Sequence, residues 1–162
     1  MKVSEVMTRD PILVDAQDPV RKAAGLMKTH RIGGIPVMDG NVLVGMITDT
    51  DIVNLLETGQ ISEDLWLPSP LEIIEVPVRE MINWEKTKKA LTHIGDEPVG
   101  KVMSHPAITI GAGADIEEAA AVMHREKIAR LPVMDGKRLV GIVTHTDIVQ
   151  GIGNTYAGTD QG

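Results

Sequence analysis

The sequence predicts a mixed α+β protein: two similar β-α-β-β-α units, packed with pseudo-twofold symmetry and joined by a partly helical linker. Three observations predict it. Residues 36–53 read PVMDGNVLVGMITDTDIV and residues 132–149 read PVMDGKRLVGIVTHTDIV, a repeat at a constant offset of 96. Ahead of each copy runs an apolar stripe at i, i+3, i+4, i+7, first Val20, Ala23, Ala24 and Met27, then Ile116, Ala119, Ala120 and Met123, which is the spacing of one helix face. Within each copy two short apolar runs flank an Asp-Gly pair, the composition of a tight hairpin.

The first unit covers residues 1–58. Ile12–Val14 after Pro11 reads as a short strand. Asp18 then reads as an N-cap with Pro19 at the first helical position, since an Asp side chain satisfies free N–H groups and proline needs none there. The helix stops near His30, ahead of Gly33-Gly34. Ile35–Met38 and Leu43–Thr48 form the hairpin, with Asp39-Gly40 as a type I′ turn. Ile52, Leu55 and Leu56 begin a second helix that Gly59 closes.

The second unit, residues 99–150, repeats the order. Its strand is Ala107–Ile110, and Asp115, Glu117 and Glu118 suit the positive end of its first helix. Leu131–Met134 and Leu139–Thr144 flank Asp135-Gly136, and Ile148-Val149 open the last helix. Aligning the units calls for a one-residue adjustment near residues 15–18, in a loop where an insertion costs little. Residues 59–98 form the linker. Its first part carries Pro68, Pro70 and Pro77 and reads as extended, and residues 79–94 read as a helix ended by Gly95, with Met81, Trp84, Leu91 and Ile94 facing inward. The stretch 151–162, GIGNTYAGTDQG, is expected to be a flexible tail.

Composition narrows the function. The chain has 162 residues, a net charge of −7, no Phe, one Tyr and two Trp. That argues against a phosphate-backbone footprint or a platform for stacked bases, so no nucleic-acid partner is expected. No apolar run is long enough to span a membrane, and the N-terminus lacks a signal-peptide stretch, so a cytoplasmic protein is expected. There are no cysteines, and the five histidines (30, 93, 105, 124 and 145) show no ligand spacing, so no protein-held metal is expected. Gly-x-Ser-x-Gly, P-loop and Rossmann fingerprints are missing, and no nucleophile stands out; the chain does not read as an enzyme.

Both copies end in Thr-x-x-Asp, as Thr48/Asp51 and Thr144/Asp147. The Thr falls where a strand becomes a helix and the Asp in that helix's first turn. One reading is a capping box, in which the Thr oxygen and the Asp carboxylate satisfy each other's backbone N–H groups. The other is a ligand site, because free N–H groups and the positive dipole end attract an anion, and a carboxylate there can accept from the vicinal hydroxyls of a ribose. The two can coexist.

The ordered set of motifs resembles tandem cystathionine-β-synthase (CBS) domains, together a Bateman module. It consists of Val6-Met7, Pro11 and its strand, the Ala-rich helix to Met27, Ile32-x-x-x-Pro36-Val37-x-Asp39, Leu43-Val44-Gly45 and Thr48-x-x-Asp51-Ile52. The second copy has Val102-Met103, Pro106, Met123, Ile128, Pro132-Val133, Asp135, Leu139-Val140-Gly141 and Thr144-x-x-Asp147-Ile148. The resemblance implies two clefts between the repeats, a homodimer, and binding of an adenosine-type small molecule: AMP, ADP, ATP or S-adenosylmethionine, with any Mg²⁺ arriving on the nucleotide. It places Asp51 and Asp147 on ribose hydroxyls and Thr48 and Thr144 beside them, with base pockets around Ile12, Ile35, Pro36, Ala107, Leu131 and Pro132. It also implies a regulatory module acting in trans on a protein target; the alternative is a structural or interaction module without a nucleotide.

The copies differ where a phosphate would lie. Arg130 precedes the second Pro-Val strand, with Lys127 nearby, whereas Gly33-Gly34 stand at the aligned positions of the first. His145 replaces Asp49; the imidazole can donate to a phosphate and the carboxylate repels it. The cleft that Arg130 faces is therefore expected to favour a phosphorylated ligand. Which of the two motifs it faces is left open by the sequence.

Overall fold

The computed structural model describes residues 1–57 and 93–157. The proline-rich segment and most of the expected linker helix lie outside them. The elements are α1 (Val3–Val6), β1 (Thr8–Arg9), β2 (Val14–Asp15), α2 (Val20–His30), β3 (Gly34–Asp39), β4 (Val42–Thr48) and α3 (Asp49–Glu57). The second half gives α4 (Val99–Val102), β5 (Ile110–Gly111), α5 (Ile116–Glu126), β6 (Arg130–Asp135), β7 (Arg138–Thr144) and α6 (His145–Ala157). The mixed α+β expectation is met. Each paired element begins 96 residues after its counterpart, β2 and β5 included, so the one-residue adjustment near residues 15–18 is not needed.

Local chemistry explains most element ends. Helices α2 and α5 present Val20, Ala23, Met27 and Ile116, Ala119, Met123 to the interior. Both end on a left-handed residue, Arg31 (φ 52°) and Lys127 (φ 55°), rather than on glycine. Asp18 does not cap the free N–H groups of α2; its carboxylate accepts from the Asp15 N–H at 2.9 Å and from Lys22 Nζ at 2.9 Å. The hairpin turns also differ from expectation. Asp39 pairs with Val42 and Asp135 with Arg138, so the two-residue loops are Gly40-Asn41 and Gly136-Lys137. Positive φ falls on Gly40 and Gly136 alone in those loops, the pattern of a type II′ turn rather than I′. Helix α6 runs on through Gly151 to Ala157, well into the expected tail. Gly151 is buried, and a Cβ there would lie 2.6 Å from Val6 Cγ1; the close packing of α1 holds this turn.

Sequence units and packing units do not coincide. The two sheets run β1-β7-β6-β5 and β2-β3-β4, and β1 from the first repeat pairs antiparallel with β7 of the second, Thr8 opposite Ile142. Reciprocally, Ser104 bridges to Met46 on β4. The cores follow the same exchange. Val3 and Met7 are buried with Ile110, Ile116, Met123, Leu131, Val133 and Ile148, while Val99 is buried with Val14, Val20, Ile35, Val37 and Ile47, and Val102 and Met103 pack against them. Glycines on the receiving strands permit this: a Cβ on Gly45 would lie 2.7 Å from both Met103 Sδ and the Ser104 carbonyl oxygen, and one on Gly141 2.7 Å from Met7 Sδ and the Thr8 oxygen.

The two exchange joints differ in chemistry. At the first, Lys2 bridges to Asp115, with Nζ 2.9 Å from Oδ1. The hydrogen bond and charge of the Lys2 ammonium hold the Asp115 carboxyl below its ordinary range, and the same contact raises Lys2. At the second, Pro98 and Pro19 meet, and an Arg21–Asp96 ion pair stands beside them.

Candidate functional site

The strand-to-helix junctions form as expected. In the first repeat the Thr48 N–H donates to Asp51 Oδ2 at 2.9 Å, and the Asp51 N–H donates to Thr48 Oγ1 at 3.2 Å. In the second, the Thr144 N–H donates to Asp147 Oδ2 at 2.8 Å and the Asp147 N–H to Thr144 Oγ1 at 3.3 Å. Both motifs are thus reciprocal capping boxes. Thr48, Asp51, Thr144 and Asp147 are all half-buried, so each carboxylate keeps a face toward solvent.

A cleft of about 450 Å³ opens over the first motif. The first repeat contributes Met46, Thr48, Asp49, Thr50, Asp51 and Asn54; the second contributes Ser104, Pro106–Ile108 and Lys127–Arg130. Its volume falls in the range of small-molecule sites. Arg130 therefore faces the Thr48/Asp51 motif, across the boundary between the repeats. The guanidinium lies over Gly33-Gly34. A Cβ on Gly34 would fall 2.5 Å from its Nη1, and one on Gly33 2.7 Å from its Nη2 and 3.0 Å from Asp49 Oδ2. The glycine pair is the seat that receives the arginine of the other repeat.

The other expected site residues scatter. Ala107 lines the cleft. Ile12 packs, partly buried, against the first core. Ile35, Pro36, Leu131 and Pro132 are less than 2 % exposed; Ile35 belongs to the first core and Leu131 to the second, and none of the four lines this cleft. His145 does not line it either. It borders a separate groove with Ala120, Met123, His124, Ile148 and Val149, and its backbone N–H donates to the Ala129 carbonyl at 3.1 Å. Asp49 is the residue beside Arg130, so the basic charge of the cleft comes from Lys127 and Arg130 without His145.

Ser104 and Asn54 were not expected in the site. Ser104 Oγ donates to Asp51 Oδ1 at 2.8 Å. One signal for it was present in the sequence, since Val-Met-Thr at 6–8 and Val-Met-Ser at 102–104 both place a hydroxyl after the apolar pair. Among the described residues no cluster of three or more His, Asp or Glu groups could hold a metal ion, and no helix is long and apolar enough to cross a membrane.

Two β-α-β-β-α units with exchanged leading segments, each closing on Thr-x-x-Asp, define a tandem-repeat module whose cleft is built jointly by both copies. The chain belongs to the CBS domain family, whose pattern matches residues 3–58 and 99–154. The uncharacterized protein MJ1426 of Methanocaldococcus jannaschii is 33% identical over 94% of this chain and 91% of its own length. The fold is shared with the CBS domain pair of protein MJ0100, solved in complex with 5′-methylthioadenosine and S-adenosyl-L-methionine (TM-score 0.68, 22% identity, 96% of this chain and 98% of that one). It is shared equally with CBSX2, solved in complex with AMP (TM-score 0.68, 22% identity, 96% and 98% coverage).

Proposed function

We propose that this chain is a regulatory CBS pair that binds a phosphorylated adenosine ligand in the Thr48/Asp51 cleft and passes its occupancy to a protein target in trans. The observation that carries the reading is the convergence in one cleft of a helix N-terminus, the partly exposed Asp51 carboxylate and two cations, Lys127 and Arg130, with Asp49 beside the Arg130 guanidinium. The carboxylate suits ribose hydroxyls, and the α3 terminus with Arg130 suits a phosphate. The adenosine compounds held by MJ0100 and CBSX2 support the ligand class, and the two cations favour AMP, ADP or ATP over an uncharged nucleoside. Any Mg²⁺ would enter on a polyphosphate. Ligand can bias such a module only through different affinities for two of its states.

We also take the closing helices as the face for a second copy. Val53 and Leu56 on α3 and Val149 and Ile152 on α6, residues 96 apart in pairs, are 39–68 % exposed. Sedimentation of wild type and Val149→Glu tests this: a monomeric wild type would refute it. The ligand reading is tested by calorimetry with AMP, ADP, ATP and S-adenosylmethionine on wild type and Asp51→Ala. Losing a hydrogen bond to a charged group costs about 1.5–3 kcal/mol, or about tenfold to hundredfold in affinity. If no member of the panel binds, the alternative stands, an interaction module in which Thr-x-x-Asp serves as a cap.

A further inference from the structure

We propose that Ser104 is a specificity-determining residue of this cleft, forming with Asp51 the two-point acceptor for the neighbouring hydroxyls of a ribose. The inference rests on the nucleoside reading above and adds a residue to it.

Ser104 belongs to the exchanged segment. Its backbone is fixed on β4 by two hydrogen bonds with Met46, the Met46 N–H to the Ser104 oxygen at 3.0 Å and the Ser104 N–H to the Met46 oxygen at 2.8 Å. Its hydroxyl therefore has a set position at the mouth of the cleft, where Ser104 is exposed. A serine hydroxyl carries one proton and two lone pairs. The proton goes to Asp51 Oδ1 at 2.8 Å, so toward the cleft Ser104 Oγ offers only lone pairs. Asp51 Oδ2 is already held by the Thr48 N–H. Oδ1 and Ser104 Oγ thus form two adjacent acceptors, the arrangement that two neighbouring O–H donors require.

The second motif lacks this pair. Thr8 holds the position corresponding to Ser104, but among the described residues no hydrogen bond joins it to Asp147. There Thr144 Oγ1 donates to Asp147 Oδ2 at 2.9 Å, and Oδ1 has no donor from the described residues. The two Thr-x-x-Asp motifs present different acceptor sets, Ser104 reaching Asp51 at the first and Thr144 alone bonding Asp147 among the described residues at the second.

The test titrates AMP, 2′-deoxy-AMP and 3′-deoxy-AMP into the full chain as wild type, Ser104→Ala, Ser104→Thr and Asp51→Ala, with thermal unfolding to confirm that each is folded. Wild type should prefer AMP by about three- to tenfold over the analogue lacking the hydroxyl held by Ser104, the worth of one neutral hydrogen bond, and by about tenfold to hundredfold over the analogue lacking the hydroxyl held by Asp51. Ser104→Ala should bring one of those two preferences close to unity while leaving the affinity for that analogue unchanged, and Ser104→Thr should restore it. If Ser104→Ala weakens AMP and both analogues alike, or changes nothing while Asp51→Ala abolishes binding, the Ser104 role is overturned and the nucleoside reading stands. If wild type binds no AMP, both fall together.

Discussion

Gly34 and Arg130 stand on the same step of β3 and β6, and Asp49 and His145 on the same step after β4 and β7. The backbones around them agree, yet the side chains do not play mirrored parts. Arg130 crosses into the first repeat and rests on Gly33-Gly34 near Asp49, whereas His145 turns to a groove on the helical side. Asp51 is held by two donors from different segments, Thr48 and Ser104, while Asp147 receives both its side-chain bonds from Thr144. The duplicated fold thus keeps its caps in register, while the charge and acceptor pattern at Thr48/Asp51 is set by what the second repeat inserts there, Arg130 and Ser104.

The largest test of this comparison targets the exchange itself. Deleting residues 1–9 removes Val3, Met7 and β1 from the second core. Two buried side chains lost outright amount to about 5 kcal/mol or more, comparable to the stability of a whole domain. Amide exchange should show residues 110–148 losing protection before residues 14–47; the reverse order would refute the assignment of that segment.

Next come the receiving glycines. Gly45→Ala and Gly141→Ala each drive a Cβ into a neighbouring backbone oxygen, and each should destabilise by about 1–3 kcal/mol in chemical denaturation. Near-equal values are expected, because the two joints match atom for atom here. A large inequality would break the symmetry at its best-matched point.

The arginine of the cleft comes next. Arg130→Ala should weaken a nucleotide by about tenfold or more through loss of a charge-assisted contact, about 1.5 kcal/mol. Arg31→Ala should have a smaller effect, since Arg31 does not line the Thr48/Asp51 cleft. Equal losses in titration calorimetry would mean that Arg130 has no special part in the cleft.

The smallest effect is electrostatic. Lys2 depresses the Asp115 carboxyl, so the pair's stabilisation is complete above the ordinary carboxylate value and is lost as pH falls through the depressed one. At the other end, Lys2 is raised, so its share persists through the ordinary lysine range and is lost as pH rises through the raised value. Both groups are exposed and the contact is screened by salt. The melting temperatures of wild type and Asp115→Asn should differ slightly at neutral pH and low salt, and converge in acid.

Much of this was legible in the sequence because it is written in periodicity. Helices α2 and α5 and both hairpins follow from apolar spacing and Asp-Gly. Thr48/Asp51 and Thr144/Asp147 sit where the strand-to-helix change puts them. The exchange was not legible, since Val6-Met7 and Val102-Met103 say that they are buried but not beneath which sheet. The same blindness hid Ser104, whose partner is 53 residues away in sequence, and the destination of Arg130, which depends on a vacancy at Gly33-Gly34 rather than on anything beside it. Ile35, Pro36, Leu131 and Pro132 were placed at a base pocket by their position next to the motif; their side chains are buried, with Ile35 and Leu131 in the two cores, and none lines the cleft over Thr48 and Asp51.

The crossed leading segments have a consequence for how the molecule could be taken apart. Residues 1–57 carry a strand that only residues 93–157 can receive, and residues 93–104 return the favour. Separating residues 1–57 from residues 93–157 would leave two fragments, each exposing an unfilled slot and holding the piece that fits the other's. Neither should fold well alone, and mixing them should reconstitute the cleft, which makes this chain a natural scaffold for split-protein complementation.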